Sequence, residues 1–153
     1  MTEQIMEYVG GITPEAFGEF GERFRTSLAA DDLGLFCKHL QDFIKLIPHN
    51  IRVDREKFYH QVFFMICVLF GKRPAAEVAT EEGFMDLLLE GNTKTFVVEL
   101  KKNSTPEIAL AQIEEKRYWE PYNIIKTKQI ILAGITFNKT DQGVVVEYKM
   151  KEL

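Results

Sequence analysis

The stretch GFMDLLLEGNTKTFVVELKK, from Gly83 to Lys102, carries the most informative pattern in this chain of 153 residues. Its first part, Phe84 to Glu90, alternates well enough for a β-strand, and Gly91-Asn92 has the chemistry of a tight turn. Its second part, Thr95 to Lys101, is rich in β-branched and aromatic residues, which favour strands. The stretch therefore predicts a hairpin of two strands.

Asp86, Glu99 and Lys101 are charged residues in these otherwise largely apolar strands. Side chains alternate between the two faces of a strand, so Glu99 and Lys101 point to the same side. A sheet that is buried on both faces does not readily accept such groups on adjacent strands. The hairpin would set Asp86 beside Glu99, where their oxygens could hold a hard cation such as Mg²⁺ next to the Lys101 ammonium. The alternative interpretation is a structural ion pair of Asp86 or Glu99 with Lys101 at a strand end near solvent.

The first part of the chain is predicted to be helical. Thr13-Pro14-Glu15 combines a hydroxyl cap, a proline at the first helical position and an acid in the first turn. Asp31 or Asp32 restarts a helix that ends at Pro48. Asp54 can cap a third helix.

The remainder mixes strands and helices. Ala75 to Thr80 could form a short strand. Ser104-Thr105-Pro106-Glu107, with its first and last residues at capping-box spacing, opens a helix that stops before Pro121. Two further strands are predicted at Gln129 to Phe137 and Val144 to Met150.

From Lys57 onward, the order of elements is helix, three strands, helix and two strands. A helix between the third and fourth strands indicates a crossover connection, and hence a mixed sheet flanked by helices. The predicted fold class is therefore α/β. We expect residues 1–56 to form an N-terminal helical segment packed on a core made of residues 57–153.

The charge and apolar pattern of the chain limit the possible classes of protein. The formal net charge of −4 weighs against a protein that coats nucleic acid by bulk charge, because such binding depends on Lys and Arg. It does not exclude a nuclease, where local charge and a bound divalent cation matter more. The longest apolar run, Phe58 to Phe70, is too short to span a bilayer.

The expected compartment is the cytoplasm. The N-terminus lacks the order of basic, apolar and small residues that marks a signal peptide. Cys37 and Cys67 each lie in an apolar helical run, which predicts two buried thiols in a reducing environment.

Four segments together resemble a known family. Gly83-Phe84-Met85-Asp86 and, after twelve further residues, Glu99-Leu100-Lys101 resemble the D-Xn-(D/E)-x-K core of the PD-(D/E)XK nuclease superfamily. The segments Ala109-Leu110-Ala111-Gln112-Ile113 and Ala133-Gly134-Ile135-Thr136-Phe137 resemble the helix and strand that follow in one subgroup. This subgroup is the nuclease-like domain at the C-terminus of bacterial AAA-ATPase-like proteins. The resemblance implies a restriction-endonuclease-like core.

The sequence departs from this subgroup at two positions. Met85 replaces the proline of the superfamily's name, and Phe84 stands where the subgroup usually has arginine. An arginine at this position would bind a phosphate or carboxylate group. Its loss puts substrate binding, and with it activity, in question.

The resemblance also implies a set of metal ligands. Asp86 and Glu99 would bind Mg²⁺ or Mn²⁺, with the Leu100 carbonyl as a third ligand. Glu77 is a candidate additional acid, a ligand through water, although it could equally be a surface or strand-end residue beside two neighbouring glutamates.

By the same resemblance, Lys101 would be the catalytic lysine, and Gln112 would reach the site from the following helix to place substrate or water. The leading functional prediction is a metal-dependent nuclease that hydrolyses the phosphodiester bonds of nucleic acid, with DNA favoured. The alternative is a non-catalytic interaction or regulatory module, attached to an ATPase domain of the same or a neighbouring polypeptide. The chain itself carries no GxxxxGK[ST] phosphate loop.

Overall fold

A computed structural model describes residues 13–47, 56–70, 74–80, 83–117, 119–125 and 127–153, with the backbone alone for residues 56, 75–80 and 83–86. Within these ranges, the elements in chain order are α1 (Pro14–Ala29), α2 (Leu33–Leu46), α3 (Glu56–Leu69), β1 (Ala75–Thr80), β2 (Gly83–Glu90), β3 (Lys94–Lys102), α4 (Pro106–Lys116), α5 (Glu120–Ile124), β4 (Gln129–Thr140) and β5 (Gly143–Glu152).

The five strands of the described ranges form one mixed sheet in the order β1-β2-β3-β4-β5. Strands β3 and β4 are parallel, and the other neighbouring pairs are antiparallel. The parallel pair requires a crossover, and α4 supplies it. This arrangement confirms the predicted α/β class with an open mixed sheet between helices, as in a restriction-endonuclease-like fold.

The helix starts follow the local sequence. The Thr13 hydroxyl accepts a hydrogen bond from the Ala16 amide at 3.2 Å, and Pro14 occupies the first turn of α1. Of the two aspartates considered for α2, Asp32 is the cap, because its carboxylate accepts the Leu35 amide at 3.0 Å.

The start and end of α4 differ from the prediction. Thr105 rather than Ser104 caps the helix, and its hydroxyl accepts the Ile108 amide at 3.3 Å. The helix ends at Lys116, because Arg117 adopts a left-handed conformation with φ 55°. Pro121 does not stop this helix; it lies in the first turn of the short helix α5, where a missing amide hydrogen is tolerated.

The sheet separates two apolar cores. One face of β3, with Val98 and Leu100, packs in the larger core together with side chains from α1, α2 and α3. On the other face, Val97 packs with Leu110 and Ile113 of α4 in a smaller core. Both faces of β3 are therefore covered, which explains its nearly unbroken apolar sequence.

Aromatic side chains hold the larger core together. The rings of Phe24 in α1 and Phe43 in α2 meet edge to face at 5.6 Å, and those of Phe36 and Phe63 join α2 to α3 at 5.3 Å. Tyr59 of α3 stacks on Phe137 of β4 at 4.8 Å. The three helices are thus fixed to each other and to the sheet on the side opposite α4.

Asp31, in the turn between α1 and α2, fastens these helices to the β2–β3 turn. Its carboxylate accepts the amides of Asn92 and Thr93, at 2.9 and 2.7 Å, and the Thr93 hydroxyl at 3.0 Å. A Cβ atom on Gly91 would lie 2.1 Å from the same carboxylate, so glycine is required there. Asp31 therefore positions the hairpin that carries the predicted site.

Both cysteines are fully buried, and burial raises the pKa of each thiol far above its usual value. The expectation of buried thiols in Cys37 and Cys67 is thus confirmed. In the described parts of the chain, no helix is both long and apolar enough to cross a bilayer.

We expect Asp31→Ala to lower the free energy of unfolding by about 3 kcal/mol, since two backbone amides and a hydroxyl would lose a charged acceptor. Chemical denaturation measures this change. Asp141→Ala, at an exposed turn position, is the control and should stay within about 0.5 kcal/mol of wild type. Equal stability of the two variants would show that the Asp31 contacts do not hold the hairpin.

Candidate metal centre

Glu99 is the centre of the candidate site. It lies on the central strand β3, on the face covered by α4, and is 3% exposed. An ionised carboxylate in such a place is unfavourable unless hydrogen bonds or charges compensate for the lost water. Gln112 of α4 provides one such contact, because its Nε2 donates to Glu99 Oε1 at 2.6 Å. The structure thus brings together Glu99 and Gln112, as the sequence predicts.

Lys101 lies two residues further on the same face. Its Nζ is 3.7 Å from Glu99 Oε1, and about a quarter of its side chain is exposed. This distance allows ionic attraction but is longer than a charged hydrogen bond, which spans about 2.7–2.9 Å. The lysine is therefore near the buried carboxylate and still open to solvent, as a group that meets a substrate must be.

The backbone register aligns the predicted acids on neighbouring strands. Ala76 and Val78 of β1 face Leu87 and Met85 of β2, so Glu77 is opposite Asp86. The last recorded pair of β2 and β3 is Leu87 with Val98. If this register is extended by one residue, position 86 lies opposite Glu99. The side chains of Asp86 and Glu77 lie outside the described part of the structure, so their roles stay predictions.

The position of α4 depends on a glycine beside Glu99. Gly134 of β4 is the register partner of Glu99. A Cβ atom at Gly134 would lie 2.5 Å from the Pro106 carbonyl oxygen and 2.6 Å from the Leu110 amide nitrogen. The first turn of α4 therefore rests directly on the strand backbone, and this close approach brings Gln112 within reach of Glu99.

The loop between β3 and α4 is fixed by Asn138. Its side-chain Oδ1 accepts the Ser104 amide at 3.2 Å, and its Nδ2 donates to the Ser104 carbonyl at 2.9 Å. Asn103 adopts φ 55° and donates its amide to the Phe137 carbonyl at 3.4 Å. The end of the strand that carries Lys101 and the start of α4 are consequently held in one place.

The oxygen atoms of the described site residues fit a hard divalent cation. The Glu99 carboxylate and the Leu100 carbonyl are oxygen ligands of the kind that Mg²⁺ and Mn²⁺ prefer. Among the side chains that the structure describes, no group of three or more acidic, histidine or cysteine residues comes together. A full set of ligands at Glu99 would therefore need the acids of β2 and β1, Asp86 and Glu77.

A mixed sheet with a buried Glu-x-Lys on its central strand, faced by a glutamine from the crossover helix, defines a nuclease-type α/β domain. Residues 54–147, more than half of the chain, match the family model of the PD-(D/E)XK nuclease superfamily. The chain belongs to this superfamily, whose members generally use divalent metals. No curated protein sequence matches it significantly.

Two residues near the site were not predicted to have a role. Gly134 and Thr136 share the face of β4 that lies beside Glu99 and Lys101. A glycine and a threonine alternating inside a long apolar strand are the signal that could have found them. Their importance depends on α4, whose distance from the strand is a tertiary property.

Gly134→Ala should lower the free energy of unfolding by about 3 kcal/mol, because the added methyl group would meet backbone atoms that cannot rotate away. We also expect the Gln112 side-chain amide resonances to shift in NMR spectra as α4 moves. The control is Gly18→Ala, on the exposed face of α1, where nothing lies within 4 Å of the new atom. That variant should gain roughly 0.5–1 kcal/mol. An unchanged Gly134→Ala protein would contradict the close approach.

Proposed function

We propose that the protein is a metal-dependent nuclease that hydrolyses phosphodiester bonds in nucleic acid, with DNA favoured by the superfamily resemblance. The observation that carries the proposal is the buried Glu99 carboxylate, oriented by Gln112 and approached by a partly exposed lysine. The Lys101 ammonium is 3.7 Å from this carboxylate, and about a quarter of its side chain is exposed, so it remains accessible to a phosphate group. This geometry favours a working site over a structural pair.

Each residue has a defined part in the proposed reaction. Glu99 and Asp86 would hold the cation, with the Leu100 carbonyl as a third ligand and Glu77 as a further acid that would act through water. The cation, when bound, supplies Lewis-acid chemistry that polarises the phosphoryl oxygens and activates water. Association with an ATPase domain rests on the sequence resemblance alone.

Lys101 and Gln112 complete the proposed site. The Lys101 ammonium offsets the negative charge that develops on the phosphate during attack, or orients the attacking water. Gln112 fixes the rotamer of Glu99 through its amide hydrogen bond. Both residues lie on elements that contact the backbone of β4, which supports pre-organisation of this part of the site.

Calorimetric titration with Mn²⁺ tests the ligands. We expect wild-type protein to bind Mn²⁺ and Asp86→Ala and Glu99→Ala to lose that binding, since each removes a charged oxygen ligand. Gln112→Leu should weaken binding roughly 10- to 100-fold, because it only orients a ligand. A folded wild-type protein that binds no Mn²⁺, even with an oligonucleotide present, would favour the non-catalytic module instead.

Cleavage of labelled single- and double-stranded DNA and of RNA tests the reaction. Lys101→Ala should reduce the rate at least about 100-fold, a typical loss for a group that moves or stabilises charge in the transition state. Lys94→Ala is the matched control, a lysine at the other end of β3 about 23 Å away, and should cleave like wild type. Equal rates for Lys101→Ala and wild type would remove Lys101 from the mechanism.

A further inference from the structure

Thr136 is the buried polar side chain of β4. It is 0% exposed, and its hydroxyl oxygen has no hydrogen-bond partner among the described residues. Buried hydroxyl groups are almost always hydrogen-bonded in folded proteins. The Thr136 hydroxyl can therefore accept a hydrogen bond without breaking one to another described residue.

Strand register places this hydroxyl beside the proposed catalytic lysine. Thr136 pairs with Lys101 across the parallel β3–β4 ladder, as Gly134 pairs with Glu99. Adjacent strands lie about 4.8 Å apart, and paired residues point to the same face. The neighbours of Thr136 on its strand, Ile135 and Phe137, belong to the larger core on the opposite face. Thr136 thus lies on the α4 face next to Lys101.

The Lys101 ammonium would need another hydrogen-bond acceptor in place of Glu99 once that carboxylate held a cation. Glu99 Oε1 already accepts Gln112 at 2.6 Å, and a divalent cation on the same carboxylate would repel the ammonium at 3.7 Å. The lysine side chain has four flexible methylene groups, so its charged end can move several ångströms.

Asn138 and Glu147 are polar neighbours of Thr136 on the same face, one along its own strand and one across the β4–β5 ladder. The Asn138 side-chain oxygen is bound to the Ser104 amide, in the loop that follows β3. Glu147 is exposed and lies one strand further from Lys101. The Thr136 hydroxyl oxygen is thus a buried acceptor on the strand next to Lys101.

We propose that Thr136 is a positioning residue for Lys101. Its hydroxyl accepts a hydrogen bond from the ammonium when a cation occupies Glu99, which holds the lysine for the phosphate and stops it from competing with the cation. This role rests on the proposed nuclease function and adds to it a residue that favours cation binding without being a ligand.

Mn²⁺ affinity of Thr136→Val and Thr136→Ser, measured by calorimetry, tests this role. Valine removes the hydroxyl at constant shape, so we expect affinity to fall roughly 10-fold while the metal-free stability is unchanged or higher. Serine keeps the hydroxyl and should bind within about 2-fold of wild type. If the valine variant does not fold, Thr136→Ala compared with Thr136→Ser gives the same contrast. The matched control is Thr95→Val. Thr95 is buried on the face of β3 that carries Glu99, and this variant should bind Mn²⁺ like wild type.

A double-mutant cycle with Lys101→Met separates positioning from packing. In the Lys101→Met background, Thr136→Val should no longer change Mn²⁺ affinity, because the ammonium that it positions is absent. An equal loss in both backgrounds, or no loss in either, would overturn the role of Thr136 and leave the nuclease proposal standing. A wild-type protein without Mn²⁺ binding would contradict both proposals.

Discussion

The contact between the first turn of α4 and the backbone of β4 at Gly134 is the constraint on which the site depends. A side chain at this position would meet the Pro106 carbonyl and the Leu110 amide, so the helix can approach only a glycine. This approach lets Gln112 reach Glu99 from α4. α4 is also the crossover between the parallel strands β3 and β4. The same contact therefore fixes both this connection and the position of Gln112 beside Glu99.

Burial of Glu99 follows from its place on the central strand. Strands β2 and β4 flank β3, and α4 covers the face that Glu99 shares with Val97. A carboxylate there interacts strongly with any nearby charge, since little water screens it. The low dielectric makes the charged residue unfavourable for stability, and the Gln112 amide and the Lys101 ammonium offset part of that cost.

The larger core lies on one face of the sheet, and the candidate site lies on the other face, under α4. The larger core joins three helices through aromatic contacts and includes no charged side chain of the candidate site. The α4 face has a smaller core, and Glu99 meets Gln112 on this face. Asp31 connects the two sides, because it fixes the β2–β3 turn to the helices of the larger core. The hairpin that carries Glu99 is therefore held from its turn by the helical side of the protein.

The order of the longer helices and strands, the crossover and the Glu-x-Lys pair were predictable from local periodicity, caps and spacing along one strand, whereas the short helix α5 was not predicted. Three features became clear only in the folded protein: Asp32 caps α2 while Asp31 holds the hairpin, Thr105 rather than Ser104 caps α4, and Gly134 and Thr136 adjoin Glu99 and Lys101. The physical reason is that strand register and helix-to-sheet distance arise from contacts between residues far apart in the chain. No local pattern encodes such contacts, so a glycine and a threonine in an apolar strand gain their significance only after packing.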